Sequence, residues 1–278
     1  MAARLRVCAV SYLNTSPLVW GMCHGPQRNL FDLSFALPSV CADRLRSGEA
    51  DAGLVPVIEL ARQPDLLVVP GTAVACRGAV RSIVLVSKKP LEAIESFAAD
   101  TGSRTSVVLT QVVAAHAHGI RPKARPYPPR LGEMLEIADA ALVIGDPALA
   151  IDPSMTSWKG RPVHVYDLGA EWEEMTGLPM VFAVWGVKNL AESEGLYEAF
   201  SESAAYGLAR IDEIARDQAP SLGLEPTEVK EYLTRHVRYR LGDREREAMN
   251  LFLRLASELG LTGAPRRVRF LPEPVLSG

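Results

Sequence analysis

The sequence lacks the features that mark several large classes of protein. Aromatic residues make up only 6% of its 278 residues. No apolar run approaches the roughly 20 residues that a membrane-spanning helix needs, so we expect no association with a membrane. The net charge of −3 supplies no basic surface field, which argues against nucleic acid as a partner. The remaining composition, with 48% hydrophobic and 23% charged residues, is that of a globular protein.

Cysteine is scarce as well, and its spacing predicts neither a disulfide framework nor a metal site. The four cysteines are Cys8, Cys23, Cys41 and Cys76. They form no CxxC pair, which is typical of reduced, mostly buried thiols in a cytoplasmic protein. Histidine and cysteine do not occur together at zinc-ligand spacing, so we expect no metal. No long apolar segment precedes the polar residues from Ser11 onward, so we expect no export signal.

Three glycine-containing signatures are absent too. The lack of GxxxxGK[ST] argues against a P-loop nucleotide site, and the lack of GxGxxG argues against a dinucleotide-binding fold. A Gly-x-Ser-x-Gly elbow is also missing, and no Ser/His/Asp order stands out. Any chemistry therefore has to come from residues outside these signatures.

The first third of the chain alternates strand-like and helix-like segments. Strands are predicted over 5–10, 33–37, 52–57, 66–69 and 79–87. One helix is predicted over 16–24, and a second begins at Pro38-Ser39-Val40, with Ser39 as its cap, and ends at Ser47-Gly48. This order predicts a parallel sheet with helices on both faces. In such sheets ligands bind beyond the carboxyl ends of the strands.

A second alternation follows Lys88-Lys89-Pro90 and predicts an inserted domain. Helices are predicted over 91–99, 104–118 and 131–137, a strand over 140–144, and a strand returning to the first domain over 180–185. The chain is then helical over 196–218, 227–238 and 244–259. We therefore expect an α/β protein with a discontinuous domain I (1–86 plus 176–278), an inserted domain II (87–175), and a cleft between them that closes about a hinge.

Three polar stretches are candidates for ligand binding. Ser11–Leu18 takes the chain from a strand into a helix through Asn14, which suits either an anion seat or an ordinary turn. Ser103-Arg104-Thr105-Ser106 places three hydroxyls at a helix start, which suits either anion binding or redundant capping by Ser103. Asp146, before a proline at a strand end, either faces the cleft or forms a turn.

The late helices carry many arginines among acidic residues. This pattern predicts a solvated face, and the amphipathic helices also suit a homodimer interface. The sequence leaves both open. The residues are Arg235, Arg238, Arg240, Arg244 and Arg246.

Six stretches in order, from about residue 6 to 186, together resemble one family. They are Ser11-Tyr12-Leu13-Asn14-Thr15-Ser16-Pro17-Leu18, Asp51–Val57, Ser103–Ser106, Ala138–Leu149, Asp167-Leu168-Gly169 through Glu171-Trp172, and Thr176–Trp185. Each is weakly specific alone, but their shared order is specific. The family they resemble is chorismate dehydratase of the futalosine route to menaquinone.

The resemblance implies a two-lobed fold similar to type II periplasmic binding proteins, each lobe a sheet flanked by helices. It implies a cytoplasmic enzyme that removes water from chorismate to give 3-[(1-carboxyvinyl)oxy]benzoate, without a metal or an organic cofactor. A sister enzyme, 1,4-dihydroxy-6-naphthoate synthase, carries a histidine where this chain has Gly145, which favours the dehydratase. The implied substrate-binding residues are Ser11, Gly53, Val55, Ser82, Ser103, Thr105, Ser106, Gly145 and Asp146.

The resemblance also suggests a mechanism. Substrate loses a ring proton and the neighbouring hydroxyl, and aromatisation drives the step. Because the matched motifs offer no obvious His, Glu or Lys base, we expect the enolpyruvyl carboxylate of the substrate to take the proton while the protein fixes the geometry. Asn14 is expected to be the catalytic contact, since its amide can both donate and accept, and Asp146 is a weaker acid/base candidate.

Two alternatives remain at this stage. A solute-binding protein would capture a small anion in the same cleft without catalysis, but it would normally carry an export signal. The effector domain of a transcription regulator would normally adjoin a basic helix-turn-helix segment, whereas this sequence starts directly with a strand.

Overall fold

The computed structural model describes residues 4–188, 195–264 and 267–272, and it contains two larger β-sheets and one two-stranded ribbon. The strands are β1 (Arg6–Val10), β2 (Asp32–Ala36), β3 (Ala52–Pro56), β4 (Leu67–Cys76), β5 (Ile83–Ser87), β6 (Ser96–Asp100), β7 (Lys123–Tyr127), β8 (Ala140–Ile144), β9 (Ser157–Trp158), β10 (Arg161–Pro162), β11 (His164–Asp167), β12 (Met180–Val187) and β13 (Arg238–Leu241). The helices are α1 (Ser16–His24), α2 (Pro38–Ser47), α3 (Glu59–Arg62), α4 (Thr105–His118), α5 (Leu131–Ile137), α6 (Asp146–Leu149), α7 (Leu168–Thr176), α8 (Leu196–Leu208), α9 (Ile211–Leu222), α10 (Pro226–Glu231) and α11 (Asp243–Glu258).

The first sheet has six strands in the order β13-β4-β12-β3-β1-β2. Its β2, β1 and β3 are parallel, as the sequence predicts, but β12 is antiparallel to both β3 and β4, and β13 is antiparallel to β4. The prediction of a parallel sheet thus holds for the strands β1 to β4, and the later strands β12 and β13 make the sheet mixed. The reason is that β12 returns from the other lobe and enters at the carboxyl end of β3, so it has to run in the opposite direction.

The second sheet has five strands in the order β11-β5-β8-β6-β7. The helix predicted over 91–99 is wrong, because the chain forms only a 3-10 turn at Leu91–Ala93 and then β6. Phe97, Ala98 and Ala99 are all buried, so this strand is covered on both faces. A short strand buried on both faces shows no apolar–polar alternation and cannot be told from a helix by periodicity.

The carboxyl-terminal part of the chain is less uniformly helical than predicted. The segment 196–218 divides into α8 and α9, and the predicted helix 227–238 divides into α10, a π-helical turn at Tyr232–His236 and the start of β13. The edge strand β13 is therefore a feature that the sequence analysis missed. Its alternation of exposed arginines with buried Tyr239 and Leu241 is the pattern of a half-buried strand.

Two predicted helix caps are also wrong. The residues that precede the first turns of α2 and α4 are Leu37 and Arg104, not Ser39 and Ser103. The Ser39 hydroxyl instead donates to the Thr101 carbonyl on the other lobe at 3.3 Å. Ser39 thus serves a contact between the lobes rather than capping α2.

Helix α8 holds α1, and with it the turn that precedes α1, against the first sheet. The Ser203 hydroxyl donates to the Leu18 carbonyl at 2.8 Å and accepts from the Met22 N–H at 3.2 Å. Gly207 allows the two helices to approach closely, because a Cβ there would collide with the Pro17 carbonyl. Within the described ranges, no helix is both long enough and apolar enough to cross a membrane.

Candidate active site

A cavity lies between the two sheets. We call the part of the chain built on the six-stranded sheet the first lobe and the part built on the five-stranded sheet the second lobe. The first lobe contributes the residues after β1, the carboxyl end of β3 and part of β12 to the cavity wall. The second lobe contributes the start of α4 and the end of β8. Six of the ten residues predicted for the site line this cavity. They are Asn14, Ser82, Ser103, Thr105, Ser106 and Gly145.

Asn14 lies in a 3-10 turn, Leu13–Thr15, between β1 and α1. Its side chain is half-buried, and its Oδ1 accepts a hydrogen bond from the Thr15 hydroxyl at 3.4 Å. The preceding N–H, that of Leu13, donates to Asp146 Oδ1 on the other lobe at 2.9 Å. The turn is therefore held from both lobes, and the Asn14 amide is presented at a defined place in the cavity wall.

The start of α4 supplies hydrogen-bond donors to the opposite wall. Its first backbone N–H groups have no partner within the helix, and they carry the positive end of the helix dipole. The hydroxyls of Ser103 and Ser106 make no hydrogen bond within the described part of the chain, although both residues are buried at the cavity. These groups are suited to bind a carboxylate.

The Thr105 hydroxyl makes two hydrogen bonds within the protein. It donates to the Phe182 carbonyl at 3.2 Å and accepts from the Ile58 N–H at 3.4 Å. Both of these partners belong to the first lobe. The hydroxyl proton of Thr105 is thus used to join the lobes, which leaves its backbone N–H for a ligand.

Arg104 lines the cavity, but its guanidinium is committed elsewhere. It contacts Glu59 Oε1 at 3.1 Å and Asp43 Oδ2 at 2.6 Å, both on the first lobe. Glu59 is fully buried, and Arg46 and Arg62 also pair with it. This cluster joins the lobes beside the cavity, and the sequence analysis gave no sign of it.

Gly145 lies directly beneath the ring of Tyr12. Its φ is +66°, and a Cβ at this position would lie 2.5 Å from the Tyr12 ring atoms Cε2 and Cζ. The aromatic ring thus fills the space that a side chain at position 145 would need. Burial, followed by the carboxylates of Asp100 and Asp146, raises the pKa of the Tyr12 phenol, so its hydroxyl stays protonated.

Four predicted residues lie outside the cavity wall. Ser11 is exposed beyond the end of β1, whereas Gly53 and Val55 are buried within β3. Asp146 is half-buried behind Gly145 and accepts the Leu13 N–H. Burial raises the pKa of the Asp146 carboxyl, and the hydrogen bond from Leu13 opposes this rise.

Tyr232 is a residue of this region that the sequence analysis missed. Its hydroxyl donates to Ser82 Oγ at 2.8 Å. Burial raises the pKa of its phenol, and the side chains of Ser82 and Asn14 oppose this rise. The ring is buried in the π-helical turn after α10. A single tyrosine in a helical segment, more than 200 residues after Asn14, gives no sequence signal for such a contact.

Among the described residues, no group of three or more His, Cys, Asp or Glu side chains is placed to hold a metal ion. The cavity offers hydroxyls, backbone N–H groups and one amide. Such donors suit an anionic organic molecule. They can hold and orient it, and they can stabilise charge that develops on it.

The comparisons with known proteins agree with this picture. The sequence model of a family described as menaquinone biosynthesis matches residues 5–258. A chorismate dehydratase from Thermus thermophilus is 32% identical, and the alignment covers 94% of this chain and 96% of that protein. Over a shorter region, 44% of this chain and 52% of the other protein, a chorismate dehydratase from Campylobacter jejuni is 27% identical.

Solved structures show the same fold at low sequence identity. A protein from Archaeoglobus fulgidus superposes with a TM-score of 0.70 at 17% identity, covering 94% of this chain and 99% of that one. The periplasmic aliphatic sulphonate binding protein SsuA from Escherichia coli superposes with a TM-score of 0.62 at 17% identity, covering 100% and 95%. The predicted two-lobed α/β fold similar to periplasmic binding proteins is confirmed.

The resemblance seen in the six sequence stretches is confirmed as well, because the family match spans all of them and continues into the last helix. The chain belongs to the menaquinone biosynthesis family.

Proposed function

We propose that this protein is a chorismate dehydratase, a carbon–oxygen lyase that eliminates water from chorismate to give 3-[(1-carboxyvinyl)oxy]benzoate on the futalosine route to menaquinone. The observation that carries the proposal is the 32% identity to a chorismate dehydratase over nearly the whole of both chains. A cytoplasmic location is part of the same proposal. The geometry of the cavity supports the dehydratase reaction in three respects.

First, the cavity is suited to a dianion. Chorismate carries two carboxylates, and the start of α4 offers backbone N–H groups together with the hydroxyls of Ser103 and Ser106. Ser82, on the opposite side, offers a further hydroxyl. Because the Arg104 guanidinium is held by Glu59 and Asp43, hydrogen bonds and the helix dipole have to supply most of the attraction.

Second, the cavity offers no obvious general base. Among the described residues that line it, Arg104 is the only one that carries a charge at neutral pH. The proton leaving the ether-bearing ring carbon therefore has its nearest base in the enolpyruvyl carboxylate of the substrate itself. The protein contributes by holding that carboxylate in the reactive geometry, which is a known route to large rate accelerations.

Third, Asn14 lines the cavity, and we assign to it the assistance of hydroxyl departure. Its amide Nδ2 can donate to the leaving oxygen, where negative charge develops as the carbon–oxygen bond breaks. The enolpyruvyl carboxylic acid formed by the proton transfer gives the ring proton to the departing hydroxide, so that water leaves, the carboxylate is regenerated and the ring becomes aromatic. Asp146, which accepts the Leu13 N–H, would act on this step only through the position of the turn.

The test is to incubate the purified protein with chorismate and to follow the loss of water by mass spectrometry. We expect conversion that is first order in enzyme and is not reduced by a chelator. A second candidate is a small-anion binding protein without catalysis, which the similarity to SsuA favours. Saturable binding of chorismate without any conversion would support that candidate and refute the dehydratase.

A further inference from the structure

Tyr232 lies behind the cavity wall without lining the cavity itself. Its hydroxyl donates to Ser82 Oγ at 2.8 Å. Burial raises the pKa of the Tyr232 phenol, and the neighbouring side chains of Ser82 and Asn14 oppose this rise. Ser82 is completely buried, and Tyr232 is 5% exposed. A buried hydroxyl with such a partner has little freedom to rotate, because any other orientation would leave a polar group unpaired.

The directions of these hydrogen bonds have a consequence for the cavity. Because Tyr232 gives its only proton to Ser82, its oxygen is left to accept a proton from the Asn14 Nδ2. Ser82, having accepted from Tyr232, is left with its own proton to donate. When Asn14 donates to Tyr232 and Tyr232 donates to Ser82, two donors remain for a ligand in the cavity. They are the Ser82 O–H and the second N–H of the Asn14 amide.

The backbone around Tyr232 is built to hold it in place. Tyr232 opens a π-helical turn, closed by the Val237 N–H donating to the Tyr232 carbonyl at 3.2 Å. Four residues on, His236 Nδ1 lies 2.9 Å from the Ala79 carbonyl, in the segment that connects the two sheets. Such turns are rare in helices and occur frequently at functional sites.

We propose that Tyr232 is a positioning residue for the dehydration, which orients the Asn14 amide and the Ser82 hydroxyl so that both donate to the substrate. This inference rests on the proposed function. It gives the carboxyl-terminal segment a direct part in the site, although none of the side chains described there lines the cavity. A chain of hydrogen bonds of this kind also polarises its members, which strengthens the final donor.

The central experiment is Tyr232→Phe, which removes the hydroxyl and keeps the ring. We expect kcat for chorismate to fall by about 10- to 100-fold, with a KM change of less than about threefold, because donors remain present but are no longer oriented. Tyr239→Phe is the matched control. Tyr239 is 7% exposed, lies on the neighbouring β13, and its hydroxyl has no partner within the described residues. We expect this control to keep kcat within about twofold of wild type.

A double-mutant cycle separates positioning from a purely structural effect. In a Ser82→Ala background, Tyr232→Phe should cost clearly less than in wild type, because part of its action passes through Ser82. Thermal unfolding of both Tyr→Phe variants confirms that they are folded at the assay temperature.

Each outcome has a defined meaning. Wild-type kcat in Tyr232→Phe, or effects of Tyr232→Phe and Ser82→Ala that simply multiply, would overturn the inference and leave the proposed function standing. Equal losses of kcat in Tyr232→Phe and Tyr239→Phe would overturn it as well. Failure of the wild-type protein to convert chorismate would refute the proposed function, and the inference with it.

Discussion

The carboxylate of Asp146 accepts a hydrogen bond from the backbone N–H of Leu13 at 2.9 Å, and the two residues belong to different lobes. Leu13 is buried and immediately precedes Asn14, so this bond fixes the turn that presents the Asn14 amide. The contact exists only while the lobes are together. Asp146 therefore links the second lobe to the position of the proposed catalytic residue.

Asp146→Ala should destabilise the protein by about 1–3 kcal/mol, because it leaves the buried Leu13 N–H without an acceptor. Asp146→Asn is the matched control, since its amide oxygen can still accept from Leu13. We expect its free energy of unfolding, measured in urea, to stay within about 1 kcal/mol of wild type. Equal losses in the two variants would contradict the importance of the Leu13 contact.

The raised pKa of Asp146 predicts how these variants respond to pH. Because the pKa in the folded state lies above the unfolded value of 3.8, the folded protein binds this proton more tightly. The stability from this proton is present below pH 3.8 and is lost as the pH rises through the folded pKa. Asp146→Asn lacks this titration, so its stability relative to wild type should increase over that interval and then stay level. A difference that is constant with pH would show that the pKa is not raised.

Glu59 and Asp43 offer a comparison within one ion-pair cluster, because both bind Arg104. The Asp43 contact is the shorter, at 2.6 Å against 3.1 Å, but the Asp43 side chain is 54% exposed whereas that of Glu59 is fully buried. We expect Glu59→Ala to cost about 3–5 kcal/mol and Asp43→Ala at most about 1 kcal/mol. Chemical denaturation of both variants measures these free energies of unfolding. A larger loss of stability in Asp43→Ala would show that distance rather than burial sets the strength of the ion pairs with Arg104.

Tyr12 and Gly145 should be thermodynamically coupled. Gly145→Ala places a Cβ 2.5 Å from the Tyr12 ring and forces alanine to a φ of +66°, so we expect a loss of about 2–4 kcal/mol. In a Tyr12→Ala background the steric part disappears and only the backbone strain remains. The same substitution should then cost at least about 1 kcal/mol less. Additive effects would show that the ring of Tyr12 does not occupy this space.

The sequence predicts the fold best where each element has a clear local pattern. Helices α1 and α5 and strand β8 have the predicted bounds, since polar or proline-containing turns delimit them. It fails at β6, where burial on both faces removes the alternation. It also fails at β13, where the short strand follows a helical turn without a break in composition.

The cavity, too, has parts that the sequence predicts and parts that it does not. The hydroxyl-bearing helix start that lines the cavity could be predicted, because helix starts rich in hydroxyls have a local signature. The contacts that orient the site could not, because they join residues far apart in the chain. Asp167 illustrates this point: it caps α7 through the Gly169 N–H at 2.9 Å and also accepts the N–H groups of Val80 and Arg81, more than 80 residues away. A motif that resembles a family signature thus serves here to hold the connection between the lobes.

Asn14→Ala gives the most direct test of the proposed chemistry. We expect kcat for chorismate to fall by at least about 10²-fold, because the amide that assists departure of the hydroxyl is lost. The melting temperature should change little, since the Asn14 side chain is only half-buried and the turn is held by the Leu13–Asp146 bond. Asn250→Ala, an exposed position on α11, is the control for an Asn→Ala change outside the site, and its kcat should equal that of wild type.

Asn14→Asp then separates the shape of the amide side chain from its ability to donate a hydrogen bond. It preserves the shape of the side chain but replaces the Nδ2 donor with an oxygen that carries negative charge at neutral pH. For a dianionic substrate, that charge should raise KM in addition to lowering kcat, whereas Asn14→Ala should act mainly on kcat. Steady-state kinetics of the two variants at neutral pH and fixed ionic strength make the comparison. Near wild-type kcat in Asn14→Ala would remove Asn14 from the mechanism, because no orientation of an alanine side chain can donate a hydrogen bond to the leaving oxygen.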